Sequence, residues 1–275
     1  MRKRLASGPP SCQAVGMTKA RVVPLEGVHN FRDFGGYETA SGARVRQRVL
    51  WRSAQHGDAS EADLAAIHQL GIAHIIDLRG PSERDAKPCR RHADFAANVW
   101  TYPEETAGLA LHTEAADGVL TAAEASAAMM RLYEGIAFRE NLTPMLRLYF
   151  ELLLRAEGPS LVHCVAGKDR TGWAVAMAQQ ALGVPRDAII ADYMLTNDAS
   201  RLEERIAAEA FRDLPRYASM DAETVRALWG VKEDYIATAL KATEDRYGDL
   251  DTYLEAVLGI DADRREALRA HYLES

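Results

Sequence analysis

The residues best suited to chemistry are concentrated in one stretch, Leu161-Val162-His163-Cys164-Val165-Ala166-Gly167-Lys168-Asp169-Arg170-Thr171-Gly172. Its apolar start suits a strand running into Cys164, its small residues suit a tight loop, and a helix is expected to begin near Arg170. A strand–loop–helix unit of this kind turns backbone N–H groups toward its centre and aims the positive end of a helix dipole there, which makes an anion site. Cys164 stands at its base, where that field favours the thiolate, the nucleophilic form. Arg170 follows six positions later with a planar fork that matches two phosphate oxygens. A thiolate facing a phosphate held by Arg170 and the amides of Val165 to Arg170 is placed for in-line attack on phosphorus. The charge that grows on the equatorial oxygens is stabilised by the same donors, with no metal.

The elements that must position this loop follow from the pattern on either side. Residues 21–25, 49–52, 74–78, 98–102 and 160–164 are short, β-branched or aromatic, and bounded by Gly, Pro or Ser, so they are predicted strands. A helix is predicted over 60–70, with Ser60 capping it, Asp63 at N3, Leu64, Ile67 and Leu70 on one face, and Gly71 closing it. Residues 121–138 and 142–157 also read as helical. Strands interleaved with helices define an α/β fold with a largely parallel central sheet flanked by helices. From Thr171 onward the pattern is almost wholly helical, over 171–182, 186–195, 200–211, 221–229, 232–247, 250–258 and 263–272, punctuated by Pro185, Pro215, Gly230, Gly248 and Gly259. No linker separates the halves, so this helical C-terminal part is expected to pack on the sheet. Residues 1–20 are expected to be a flexible N-terminal tail, with Met17 an alternative start, and 21–275 a single domain.

Composition narrows the function classes. The chain has 275 residues, 33 Lys+Arg against 40 Asp+Glu and a net charge of −7, so it is not a protein that holds nucleic acid by neutralising phosphates. With 48% hydrophobic and 27% charged residues it buries an ordinary core. No apolar run approaches the roughly 18 residues of a membrane span. Cys12, Cys89 and Cys164 are too few and too scattered for a disulfide framework, and no Cys-x-x-Cys pair or zinc-ligand spacing occurs. No metal or organic cofactor is expected. A reducing, cytoplasmic compartment follows from the cysteine usage and from an N-terminus without the apolar stretch of a secretory signal.

Cys164-x5-Arg170-Thr171, with His163 before it, resembles the cysteine-dependent protein-tyrosine-phosphatase superfamily. Three further segments are similar to the atypical bacterial tyrosine/lipid phosphatases: Gly27-Val28-His29-Asn30-Phe31-Arg32-Asp33-Phe34-Gly35-Gly36-Tyr37, Leu50-Trp51-Arg52-Ser53-Ala54, and Asp77-Leu78-Arg79 with Glu83. Together the motifs span about residues 22–200. The resemblance implies a protein-tyrosine-phosphatase-like fold and hydrolysis of phosphomonoesters through a phosphocysteine intermediate. The implied substrates are phosphotyrosine proteins, with phosphoinositides as a second class, and inorganic phosphate is product and inhibitor. It also implies that His163 orders the loop, that Lys168 contacts substrates carrying more than one phosphate, and that a helical pair within 201–230 closes over the pocket as a lid.

Departure of the alcohol needs a general acid, and activation of water needs a base. Conventional members of the superfamily carry that Asp on a mobile loop upstream. Here no Asp occurs between Asp117 and Asp169, and Glu124, Glu134, Glu140, Glu151 and Glu157 fall in or beside predicted helices. Asp169, inside the loop as in the atypical family, is therefore the expected acid; the bland alternative is an Asp that only accepts loop N–H bonds. Thr171 caps the helix or, as the resemblance implies, assists departure of the Cys164 thiolate. Asp77 and Arg79, at a strand end facing the crevice, are placed to reach the site; Asp77 stands as the reserve acid, or else only pins a neighbouring loop or pairs with an Arg. Asn30 and Arg32 are expected to fix the floor of the site. Two rival functions are a pseudophosphatase that only binds phosphate, which would usually lack the nucleophile or acid, and a sulfur transferase, whose cysteine loop is typically shorter.

Overall fold

The computed structural model describes residues 21–107, 120–211 and 217–275, so the tail predicted over 1–20, Met17 included, lies outside the described residues. Five strands form the central sheet in the spatial order β1 (Arg32–Asp33), β3 (Leu50–Ser53), β6 (Ser160–His163), β4 (His74–Asp77) and β5 (Asn98–Trp100). The last four run parallel, and β1 pairs antiparallel at one edge. A separate antiparallel pair joins β2 (Arg44–Val45) to β7 (Leu273–Glu274). Residue alternation explains how the sheet is buried on both faces. Trp51, Leu161 and Ile75, aligned across β3, β6 and β4, point to one side, where they meet Leu64, Phe31 and Leu25. Leu50, Val162 and Ile76 point to the other, into the main apolar cluster.

That main cluster is largely helical. It takes in α3 (Ala122–Ile136), α4 (Thr143–Arg155), α5 (Asp169–Leu182), α10 (Glu233–Tyr247), α11 (Leu250–Leu258) and α12 (Ala262–Tyr272). Tyr235, Ile236, Tyr253, Leu268 and Tyr272 share it with strand residues, so the C-terminal helices do pack on the sheet. The α5 helix is buried on nearly every side, as an element apolar all round must be, and Trp173 at its heart is fully enclosed. The register sets Ser53, His163 and Asp77 side by side at the carboxyl ends of β3, β6 and β4. Ligand crevices of parallel sheets open at those ends.

The structure departs from the sequence reading in several places. Residues 21–25 form no strand; Val22 alone bridges Arg32, and Pro24 has no N–H to extend a ladder. The helix expected over 200–211 shortens to α8 (Leu202–Ala207), bounded by Arg201 and Glu209, both with left-handed backbone. Residues 212–216 of the anticipated lid lie outside the described residues, and α9 (Ala222–Trp229) resumes beyond them. The short α2 (Pro81–Ala86) was not anticipated.

The cap predicted for α1 (Glu61–His68) is present, with Ser60 Oγ accepting from Asp63 N. Asp63 does more than complete it. Its buried carboxylate accepts from the amides of Glu26, Gly27 and Ser60, tying the N-terminal segment to the helix. Burial works against that charge, but the backbone donors prevail and hold the carboxyl below its ordinary range. Asp63→Ala should therefore cost about 2–4 kcal/mol by leaving several donors unmet, against about 1 kcal/mol for Ser60→Ala; urea unfolding of the two variants measures the difference.

Candidate active site

Cys164 follows β6 directly and opens a loop in which the carbonyls of Val165, Ala166 and Gly167 are taken by donors from other segments. Gln55 N donates to Val165 O at 3.0 Å. Asn30 Nδ2 donates to Ala166 O at 3.3 Å and to Gly167 O at 2.7 Å, and Arg52 Nη2 donates to Gly167 O at 2.9 Å. With the carbonyls held outward, the loop amides are left for an anion at the centre. Gly167 is required at the tightest point. Its φ is +66°, and a Cβ there would lie 2.3 Å from Ser53 O. Asn30 also adopts positive φ, 57°, a backbone that Asn tolerates better than most residues.

Arg170 lies in the first turn of α5, and its guanidinium is fixed from the outside. Nη1 and Nη2 bind Glu83 Oε2 and Oε1 at 2.6 and 2.7 Å, and Nη1 also meets Thr106 Oγ1 at 3.0 Å and Leu78 O at 3.1 Å. Burial opposes the positive charge, but Glu83 and the neighbouring Cys164 and Asp169 more than offset it and hold the group protonated. Glu83 is itself aimed by Gly80 N at 2.9 Å, at the start of α2. A fork held this way along one edge keeps Nε–H and an outer N–H for a ligand.

Asp169 Oδ1 accepts from Tyr133 OH at 2.7 Å, and Tyr133 OH in turn accepts from Tyr193 OH at 2.6 Å. Burial and Asp169 itself push the Tyr133 phenol well above its ordinary range, so it remains a hydrogen donor to the carboxylate. Lys168 is nearly buried. Its Nζ lies 3.5 Å from Asp169 Oδ1 and donates to the carbonyls of Leu228 and, at 3.0 Å, Gly230. Burial lowers the tendency of Lys168 to hold its proton, against the pull of Asp169. The ammonium expected to meet substrate here ties the end of α9 onto the loop, and Cys164 beneath is 3% exposed. Helix α5 begins at Asp169, so Thr171 is its third residue and does not cap it. The Thr171 hydroxyl is buried with no partner among the described residues.

Behind the loop, His163 Nδ1 lies 3.3 Å from Cys164 O, and its ring stacks on His56 at 5.3 Å between centroids. Asp77 is paired with Arg79, Oδ2 to Nη2 at 2.7 Å and Oδ1 to Nε at 2.9 Å. Burial disfavours the Asp77 charge, yet His163 and Arg79 hold the carboxyl down to about 2. That places Asp77 in its pairing role. Arg79 does not reach the loop; it also binds Gln55 Oε1, Lys87 O and Cys89 Sγ. Asp77, Cys89 and His163 are close enough to suggest metal ligands, but Arg79 Nη2 stands 2.7 Å from Asp77 and 3.0 Å from Cys89 and supplies the cation there.

Beneath the floor runs a buried charge network that sequence reasoning saw only in part. Arg52 Nη1 binds Asp192 Oδ2 at 2.8 Å; Arg32 donates to Asp192 O at 2.9 Å and to Asn30 Oδ1; Tyr37 OH donates to Asp192 Oδ1 at 3.1 Å. Arg32 is pushed down to about 10 by burial and by Arg52, and Asp192 is held low by both guanidiniums despite its burial. Asp192, Tyr133, Tyr193 and Thr106 escaped the sequence reading, since no local pattern marks them. Arg52 and Glu83 lay in quoted motifs without an assigned role.

Residues 23–274 match the tyrosine phosphatase family, and the chain belongs to it. It is 31% identical over 255 residues to a protein of Cupriavidus necator named as a tyrosine-protein phosphatase, covering 90% of this chain and 86% of that one. It is 30% identical over 257 residues to the triple specificity protein phosphatase PtpB of Mycobacterium tuberculosis, covering 84% and 91% respectively. Among solved structures it is similar to Pseudomonas aeruginosa TpbA at 16% identity and a TM-score of 0.31, over 68% of this chain and 89% of that one.

The buried His163 gives a pH dependence with a definite sign. Burial pushes its imidazole down to about 4, against the pull of Asp77. Between pH 6.5 and 4 the unfolded chain takes up this proton and the folded chain does not, so stability falls as pH falls. The loss from this residue approaches about 3 kcal/mol at the bottom of the window. Asp77, also held below its ordinary value, contributes in the same sense but only below 3.8, outside that window. Urea midpoints measured at pH 7 and pH 5 should drop on acidification, and His163→Gln should make the drop shallower while His56 retains its share.

Proposed function

We propose that this protein hydrolyses phosphotyrosine in proteins through a phosphocysteine intermediate, with Cys164 as nucleophile and Asp169 as acid and base. The observation that carries this reading is the loop itself: a cysteine at its base, its carbonyls held outward, and Arg170 locked by Glu83 beside it. Cys164 Sγ attacks phosphorus while the S–P bond forms and the P–O ester bond breaks. Asp169 passes its proton to the departing oxygen. Arg170 and the amides of Val165 to Arg170 hold the equatorial oxygens. Water, losing a proton to Asp169, then attacks phosphorus; inorganic phosphate leaves and the thiolate returns, with the Thr171 hydroxyl available to it. Tyr133 positions the Asp169 carboxylate through its 2.7 Å hydrogen bond.

Phosphoinositides form the second substrate class of this proposal. Lys168 serves a second phosphate once the Leu228–Gly230 turn releases it, which makes substrate breadth depend on movement of that turn. The Mycobacterium tuberculosis relative is named for triple specificity, which is in keeping with a broad site. No helix among the described residues is long and apolar enough to cross a membrane.

Cys164→Ser should abolish turnover of p-nitrophenyl phosphate while phosphotyrosine peptide still binds; surviving turnover would remove Cys164 from the reaction. Asp169→Asn should slow an ester with a poor leaving group by about 10²–10⁴-fold and p-nitrophenyl phosphate far less. Equal slowing of both would place the acid elsewhere.

A further inference from the structure

On the far side of the sheet from the helical core, α1 and residues 90–97 enclose a cavity of about 260 Å³ that lies outside the phosphate loop. Its walls are apolar: Leu64, Ile67, Ile72, Ile75, Phe95 and Ala97. Its polar lining residues are His56, His68, Arg90, Arg91 and His92. His56 is fully buried, with Nε2 3.0 Å from Ser53 Oγ and Nδ1 3.2 Å from Arg91 Nη1. The charges around the cavity are unequal. Arg90 is spent on Glu61 and on Ala59 O. Of the exposed His68 and half-buried His92, whose rings stack at 4.4 Å, His92 has Asp94 3.8 Å away. Half-buried Arg91 lies over the Phe95 ring and bonds only His56 and the neighbouring Arg90 O, with no carboxylate partner among the described residues.

A half-buried guanidinium without a carboxylate partner among the described residues, in the wall of a largely apolar cavity, is complementary to an anion that carries a hydrocarbon chain. We propose that this cavity binds a medium-chain fatty acid, with the carboxylate on Arg91 and the chain among Leu64, Ile67, Ile72 and Phe95. The bidentate match of guanidinium to carboxylate supplies the orientation, and removal of the chain from water supplies most of the affinity. The buried His56 ring stacks on His163 and so stands between this cavity and the Cys164 loop.

Titration calorimetry with the full chain and decanoate tests the assignment, and it does not depend on turnover. Saturable binding at one site is expected, unaffected by saturating inorganic phosphate. Decanol and decyltrimethylammonium should bind at least about tenfold more weakly, because neither pairs with Arg91. Arg91→Gln should raise the decanoate Kd by about tenfold, and Ala97→Phe, which fills the cavity, should eliminate binding; turnover of p-nitrophenyl phosphate by each variant reports that it is folded. Unsaturable uptake, equal binding of decanol, displacement by phosphate, or an unchanged Kd in Arg91→Gln would each overturn the proposal.

Discussion

Everything in the candidate site depends on the Cys164–Arg170 loop turning its carbonyls away from the centre. A peptide unit that presents N–H on one side presents C=O on the other, so an anion site built from backbone needs donors behind it. This chain supplies them from distant segments: the Gln55 amide, the Asn30 side chain and the Arg52 guanidinium. Gly167 makes the turn sterically open, and the register of β3, β6 and β4 brings Ser53, His163 and Asp77 level with its base.

Keeping those donors in place is costly. Arg32, Arg52, Arg79, Asp77 and Asp192 are almost completely buried, and burying ions is offset only when each is paired and hydrogen-bonded. Here the pairings are closely matched, and the charges hold geometry more than they add stability. Arg52 faces Gly167 O with one nitrogen and Asp192 with another, so one side chain links the loop to α6 (Arg186–Met194). Glu83 does the same for Arg170 from the other wall. The stacked pair His56 and His163, neutral because burial lowers both, fills the space between without adding charge.

Much of this was legible in the sequence because it is local. The strand ending at Cys164, the loop to Arg170, the Ser60–Asp63 cap and most helix boundaries are written in neighbouring residues. Strands only two residues long, such as Arg32–Asp33 and Leu273–Glu274, have no period to read. The partners of the site residues were hidden for a different reason. Arg52 and Asp192 are 140 positions apart, Arg170 and Glu83 87, and Tyr133 and Asp169 36, and only folding brings them together. Lys168 shows the limit of loop-centred reasoning: it lies where the pattern puts it, but its ammonium points to carbonyls of a segment 60 residues downstream.

The most direct test of the central claim is mass spectrometry of the wild-type protein quenched in acid during turnover of p-nitrophenyl phosphate. A phosphoryl group on the peptide containing Cys164, absent when quenching precedes substrate, is the predicted result. Steady turnover with that peptide unmodified, or with the phosphoryl group on another residue, would contradict it.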